Sequence, residues 1–228
     1  MAGGVILFGA TQRTGLEVAR ILCGRGEAVT AMVRESSDTS GLDALPLTQV
    51  VGNAMDADAV DAAFASGEFR AAITTIGGSR KEPARPDVET TRNIADAAKR
   101  HGVRRVILVT AIGAGDSRQV LSDNAWKYLG PVIELKTQAE DYLMASGLDA
   151  TILRPGGMQS EAATGTAIKT EDHTVMGTIN RADLAALVVD CLDDGGTIGK
   201  IFHTIDPQIN SQPPLQRGEA PKAGQEKP

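Results

Sequence analysis

The sequence predicts an α/β fold built on a doubly wound parallel sheet, with a small lobe appended at the C-terminal side. Three observations carry this. Val- and Ile-rich runs recur that are apolar throughout, as strands covered on both faces are. Helical patterns alternate with them, and several of these stop at a glycine, as helix C-terminal caps do. The strand runs fall at residues 5–9, 28–33, 47–51, 71–76, 105–110 and 149–153; the helical patterns fall at about 14–25, 56–66, 88–101 and 131–146, closed by Gly26, Gly67, Gly102 and Gly147. Right-handed crossovers between parallel strands then place a ligand crevice beyond the carboxyl ends of the strands.

After Arg154 the alternation loosens into a Gly-rich loop, a hairpin around 166–177, a helix at 181–192 and a last strand at 200–204. We expect one domain over residues 1–205, its segment from about 155 to 205 forming a substrate-side lobe. Residues 206–228 hold almost no large apolar side chain, so burial cannot offset their ordering entropy. They read as a flexible tail that offers a docking segment to a protein partner.

Composition narrows the function. The 228 residues carry Lys+Arg 23 against Asp+Glu 29, a net charge of −6, with one Trp, two Tyr and four Phe. Neither a basic footprint for phosphate backbones nor a base-stacking platform is present, which argues against nucleic acid. No apolar run approaches the roughly 18 residues of a membrane span. Without a basic leader and cleavage site at the N-terminus, the expected home is cytoplasmic. Cys23 and Cys191 lie far apart in helical segments and read as small buried apolar residues, and no metal-ligand spacing occurs.

The first strand runs through Gly9-Ala10-Thr11-Gln12-Arg13-Thr14-Gly15 straight into a helix. A strand, a glycine turn and a helix start make an anion site, because first-turn N–H groups lack intrahelical partners and the helix dipole favours negative charge. The expected ligand is a dinucleotide diphosphate in a Rossmann-type fold. Gly9 permits the sharp turn and Gly15 lets the helix pack close. Gln12 stands where a middle glycine is usual, so either the backbone swings aside or the Gln12 amide itself donates. An ordinary strand–helix turn is the plainer alternative.

The second strand ends Met32-Val33-Arg34, where an NAD-selective protein places a carboxylate against the ribose hydroxyls. A guanidinium at Arg34, with Arg13 in the turn, suits the 2′-phosphate of NADP(H), since planar donors grip phosphate bidentately. Glu35 as a ribose ligand and Arg34 as a plain surface residue are the alternatives. Beyond the third strand, Asn53 and Ala54 border the adenine, Asn53 offering both donor and acceptor, while Asp56 reads as a helix N-cap. Ile76-Gly77-Gly78 ends the fourth strand and lets a cofactor lie against backbone; a plain loop would look the same.

GATQRTG, VRESS, VGNAMD, VTAIGAGD, the run from Lys136 to Leu148 and LRPGGM together resemble the atypical short-chain dehydrogenase/reductases, a group that includes NmrA-like regulators and small biliverdin/flavin reductases. The likeness spans about residues 5–192. It implies NAD(P) binding, and the group's reactions range from reduction and isomerisation to silent sensing. In the familiar enzymes a Ser, a Tyr and a Lys four residues after the Tyr form the proton-donating unit. The resemblance places that Lys at Lys136, which also holds the nicotinamide ribose, but Val132 stands where the Tyr belongs. Thr110 offers a hydroxyl near the serine place, which Ala111 itself occupies.

Tyr128 shares a helix face with Lys136 only if the helix starts early, against which Gly130-Pro131 argues; Tyr128 then reads as a pocket wall. Lys136 could instead form an i,i+4 surface pair with Glu140. His173, in a polar stretch of the lobe, is a candidate donor or a solvated loop residue. Trp126 and Tyr128 cluster between the fifth strand and the Lys136 helix, as in a pocket for a flat substrate, or as a helix docking its Trp in the core. Pro155 and Gly156 shape the loop beside the nicotinamide, and Met158 lines it.

The expected function is an NADPH-dependent reductase passing hydride to a planar conjugated acceptor of flavin, bilin or quinone type. Such an acceptor delocalises the developing anion and needs no fixed Tyr acid. The same missing groups also suit a catalytically silent NADP(H) sensor or assembly factor. A nucleotide-sugar epimerase or dehydratase needs an acid/base Tyr that has no place here.

Overall fold

In a computed structural model, which describes residues 3–78 and 85–210, the strand runs become a single sheet. The chain proceeds through β1 (Gly4–Phe8), α1 (Arg13–Gly24), β2 (Val29–Val33), β3 (Thr48–Val51), α2 (Ala57–Ala65), β4 (Phe69–Thr74), α3 (Asp87–Arg100), β5 (Arg105–Val109), α4 (Asp123–Ala145) and β6 (Asp149–Pro155). It ends with β7 (Gly157–Gln159), β8 (Ile168–Thr170), β9 (Thr178–Asn180), α5 (Arg181–Asp190), β10 (Lys200–Ile205) and α6 (Pro207–Asn210). The sheet order is β3-β2-β1-β4-β5-β6-β10-β8. All neighbours are parallel except β8, which runs antiparallel on β10. The order reverses between β1 and β4, so the ligand crevice of this topology opens beyond those two strand ends.

Alternate residues of each strand face opposite helix layers. Val5 and Leu7 of β1 join Val18 and Leu22 of α1 and Leu184 and Val188 of α5 in one buried cluster. Ile6 and Phe8 join Phe64 of α2, Ile94 and Ala98 of α3 and Leu143 of α4 in the other. Both faces of β1 are therefore dry, which is why its sequence is continuously apolar rather than alternating. Gly26, Gly102 and Gly147 take positive φ (75°, 71° and 77°) just beyond α1, α3 and α4, as glycine stops do.

Three expectations are corrected. α4 begins at Asp123 and carries Pro131 inside it. An internal proline costs about 3 kcal/mol, and local groups offset it. Ser122 caps the helix by accepting from the Ala125 N–H at 3.2 Å. The Trp126 ring lies so close over Gly130 that a Cβ there would sit 2.9 Å from it. The expected hairpin at 166–177 does not form: β8 pairs with β10, and β9 pairs in parallel with β7. A Cβ on Gly156 would lie 2.0 Å from the Gly177 carbonyl oxygen, so glycine is required where these segments meet. The ordered chain also extends past 205. Asp206 is fully buried and accepts from Thr166 Oγ1 at 2.9 Å, from Thr164 Oγ1 and from the Gln208 N–H at 2.9 Å, before the α6 turn. The remainder of the expected tail lies outside the described residues.

α1 packs on the end of β1 through Gly15, where a Cβ would stand 2.0 Å from the Gly9 carbonyl oxygen. We expect Gly15→Ala to lower unfolding free energy in urea titration by about 1–3 kcal/mol through overpacking; an unchanged midpoint would mean that α1 can retreat without loss.

Candidate functional site

The turn between β1 and α1 joins a left-handed glycine to a helix start, a pattern that suits an anion. Gly9 takes φ +87°, and the Thr75 hydroxyl donates to its carbonyl at 3.2 Å. Gln12 is extended, φ −157° and ψ 164°, a conformation open to any residue, and its exposed side chain makes no cap bond. The missing glycine therefore brings no backbone strain at position 12. Strain sits one residue later, where Arg13 takes φ +54°. No acidic side chain occupies the first turn of α1, and no side chain caps it. Thr11 is half-buried and Thr14 buried, its hydroxyl 4.0 Å from the Met158 sulfur.

At the ends of β2 and β3 lies an open cavity of about 580 Å³, lined by Arg34, Glu35, Ser36, Val51, Gly52 and Asn53. Val51 is 68% exposed and offers an apolar floor. Asn53 accepts from the Met55 N–H at 3.1 Å through Oδ1, which leaves its amide NH2 facing outward. Ala54 is buried, and its carbonyl accepts from Asn93 Nδ2 at 3.0 Å. Asp56 caps α2, accepting from the Asp58 and Ala59 N–H groups at 3.0 and 3.3 Å. Arg13 does not line this cavity. It borders a separate cleft with Arg181, so the two arginines that the sequence assigns to one phosphate lie at different places. The open N-terminal turn of α1, the close packing at Gly15 and the Arg34 cavity fit a dinucleotide laid across the β1/β4 switch point.

Lys136 reaches the end of β4. Its Nζ lies 4.0 Å from where a Cβ on exposed Gly77 would be, and donates to Asp87 Oδ1 at 2.9 Å. Asp87 is 4% exposed and also receives Arg85, with Nε at 3.0 Å and Nη2 at 2.9 Å; Arg85 Nη1 donates to the Gly78 carbonyl at 2.9 Å. Lys136 thus pairs with Asp87 and not with Glu140. Sequence reasoning missed Asp87 because an acid opening a helix after Pro86 looks like a dipole partner; only the α3–α4 packing brings it to Lys136. Ile76 is half-buried, its N–H donating to Thr74 Oγ1 at 3.4 Å.

No phenol joins this group. Val132, one turn before Lys136, is half-buried, and Tyr128 is 63% exposed. Trp126 stacks under the Arg118 guanidinium at 4.1 Å and packs with Ala111, Ala114, Leu121 and Ile133 in a satellite cluster. The helix-docking reading of Trp126 describes this placement.

Thr110 and His173 belong to a different assembly, centred on Arg154. Arg154 and Glu140 are each 2% exposed and form a bidentate pair, Nε to Oε1 at 3.1 Å and Nη2 to Oε2 at 2.7 Å. Thr110 donates to Glu140 Oε1 at 2.5 Å. Arg154 Nη1 donates to Asp116 at 2.6 Å, and Asp116 holds His173 Nδ1 at 2.8 Å. The other His173 nitrogen lies 3.0 Å from the Ile201 carbonyl, and its ring stacks on His203 at 4.9 Å. Burial opposes ionisation of Asp116, but the Arg154 and His173 hydrogen bonds outweigh it and hold its pKa at about 2. Burial depresses the His203 pKa against a weaker opposing pull from the Val175 carbonyl. His203 Nδ1 lies 2.9 Å from that oxygen, and among the described residues Nε2 has no partner.

Among the described residues, no helix is long and apolar enough to cross a membrane, and no group of three or more His, Cys, Asp or Glu could hold a metal ion.

Two outcomes test the network. Glu140→Leu strands the buried Arg154 guanidinium, for which we expect a loss of about 3–5 kcal/mol in chemical denaturation; a loss under 1 kcal/mol would show Asp116 suffices. The folded state disfavours protonated His203, so stability should fall as pH drops below the free-histidine value of about 6.5. Melting temperature against pH should lose that slope in His203→Gln; an identical slope would place the sensitivity elsewhere.

Comparison with known proteins follows this geometry. A family profile described as NAD(P)H-binding matches residues 9–195. An uncharacterised chloroplast protein of Arabidopsis thaliana is 30% identical over 230 residues, covering 96% of this chain and 78% of the relative. A Bacillus subtilis protein named as an uncharacterised sugar epimerase, YhfK, is 30% identical over 203 residues, covering 87% and 92%. Among solved structures, ChuY, an anaerobilin reductase from Escherichia coli O157:H7, superposes with a TM-score of 0.81 at 30% identity, covering 92% of this chain and all of that one. A chloroplast protein and a bacterial one stand together here, so the likeness carries no single compartment.

Proposed function

The chain belongs to the NAD(P)H-binding family, within the atypical short-chain dehydrogenase/reductases, and from that premise we propose that it is an NADPH-dependent reductase of a planar conjugated acceptor. The carrying observation is the make-up of the Lys136 group: an ammonium clamped by buried Asp87 over Gly77, with Val132 one turn earlier where a proton-donating phenol would stand. The nicotinamide supplies hydride when bound. The chain's own task is to bind, orient and exclude water. N–H groups at the start of α1 take the diphosphate, Arg34 takes the 2′-phosphate, and Lys136 holds the nicotinamide-ribose hydroxyls. Gly77, Gly78, Pro155 and Gly156 keep the approach low.

With no phenol at hand, the charge arriving on the acceptor has to be spread over a conjugated system and protonated from solvent. A bilin, flavin or quinone meets that requirement, whereas an isolated carbonyl or a sugar carbon does not. The likeness to an anaerobilin reductase supports this class. The epimerase name of the Bacillus relative points to chemistry that needs an acid/base group, and the Lys136 group holds besides the lysine only Asp87, a buried carboxylate already engaged by Lys136 and Arg85. A silent NADP(H) sensor is the second reading, favoured by the sequestering of Thr110 and His173 in the Arg154 network.

Mixing the protein with NADPH and biliverdin, FMN or menadione should oxidise NADPH well above the protein-free rate. Tight NADPH binding with no oxidation by any acceptor would favour the sensor. For the cofactor, we expect Arg34→Asp to weaken NADPH by about 2 kcal/mol, the order of a lost charge-assisted pair, and NADH far less. Equal losses in calorimetric titration would remove Arg34 from the phosphate.

A further inference from the structure

Arg13 and Arg181 meet on the side of the turn away from the Arg34 cavity. They line a cleft of about 60 Å³ between the first turns of α1 and α5, together with Glu17, Ser160 and Glu161. Burial, and then the Arg13 charge, push the Arg181 guanidinium down, so two like charges share this space. Glu17 is committed to Arg20 at 2.8 Å, and among the described residues neither Arg13 nor Arg181 forms an ion pair with a carboxylate. Arg13 is exposed and Arg181 half-buried, and although Glu161 also lines the cleft, an anion seated between the two guanidinium groups would relieve their repulsion. Arg13 also carries a left-handed backbone, φ +54°. Strain and repulsion coincide at one residue, as they do where a ligand supplies the compensation.

The cleft adjoins the loop expected beside the nicotinamide. Arg181 Nη1 donates to Ser160 Oγ at 2.8 Å and to the Met158 carbonyl at 3.2 Å, fixing the loop after β7. The Met158 sulfur in turn lies against Thr14 at 4.0 Å. Among the described residues, the remaining Arg181 donors and the Arg13 guanidinium meet no carboxylate and can turn to a planar oxyanion. A cleft of about 60 Å³ is of a size for one carboxylate or phosphate group.

We propose that Arg13 and Arg181 form a subsite for an anionic arm, carboxylate or phosphate, carried by the acceptor. The identity of the carrier rests on the reductase reading; the anion preference of the cleft does not. Two ligand pairs isolate the charge: FMN against riboflavin, and biliverdin against its dimethyl ester. Equilibrium titration into the NADP+-loaded protein, followed by quenching of flavin or Trp126 fluorescence, should show the charged member of at least one pair binding about tenfold tighter, the order a charge-assisted hydrogen bond gives. The pair that shows the preference identifies phosphate or carboxylate as the source.

Arg181→Gln should erase the preference, while Arg181→Lys, which keeps a cation, should retain part of it. Arg13→Gly, which suits the left-handed backbone, should erase it too without loss of folding. Equal affinity within both pairs, or no binding of either, overturns the proposal. So does an Arg13→Gly variant that keeps the preference but loses NADP+ affinity, since Arg13 would then serve the diphosphate. Because the readout is binding, absence of turnover with every acceptor would reject the reductase reading while leaving the subsite standing.

Discussion

The distance between α1 and the end of β1 governs the functional end of the molecule. A Cβ on Gly15 would lie 2.0 Å from the Gly9 carbonyl oxygen, so the helix approaches as closely as any residue permits. That approach sets the start of α1 beside the β1/β4 switch point. It also compresses the turn, which passes from an extended Gln12 to a left-handed Arg13. Arg13 lines the cleft with Arg181 at the start of α5 and not the cavity of Arg34. One steric contact thus accompanies a turn whose two flanking arginines line different cavities.

The opposite wall is held by charge. Arg154 ties β6 to α4 through Glu140 and to the turn after β5 through Asp116, and Asp116 passes the connection to His173 beside β10. Lys136 stands one turn before Glu140 on α4, so the bidentate pair that anchors the helix also sets the height of the ammonium over Gly77. Replacing such a pair by apolar residues is often tolerated, whereas removing one partner is not. The pair therefore gives the site placement rather than net stability. Asp87 then fixes the Lys136 side chain itself, and its single buried carboxylate answers two cations, Lys136 and Arg85.

Much of this was legible in the sequence, for identifiable reasons. Strands buried on both faces leave continuous apolar runs, and the six expected strands through residue 153 all form within a few residues of their expected bounds. Glycine-stopped helices and the Asp56 cap are local chemistry and were read locally. The failures came where distant segments decide. Gly130-Pro131 looks like a helix break until Trp126 is seen lying over Gly130. The segment 166–177 looks like a hairpin, but the edge of β10 takes β8 and the parallel β7 takes β9. Asp87, Asp116 and Arg154 carry no role in the sequence reading, because only the packing of α3, α4 and β6 brings them to their partners. Arg13 and Arg34, near in pattern, line different cavities because a turn's direction is not written in its residue types.

The central claim, that the β1–α1 turn carries the diphosphate of a dinucleotide whose 2′-phosphate meets Arg34, is tested most directly by diffraction from crystals grown with NADP+. The account expects density for the diphosphate against the N–H groups between Gly9 and Gly15, the adenosine in the cavity between Arg34 and Asn53, and the nicotinamide ribose beside Lys136. Density for the nucleotide with its 2′-phosphate in the Arg13–Arg181 cleft, or bound away from this turn altogether, would contradict it.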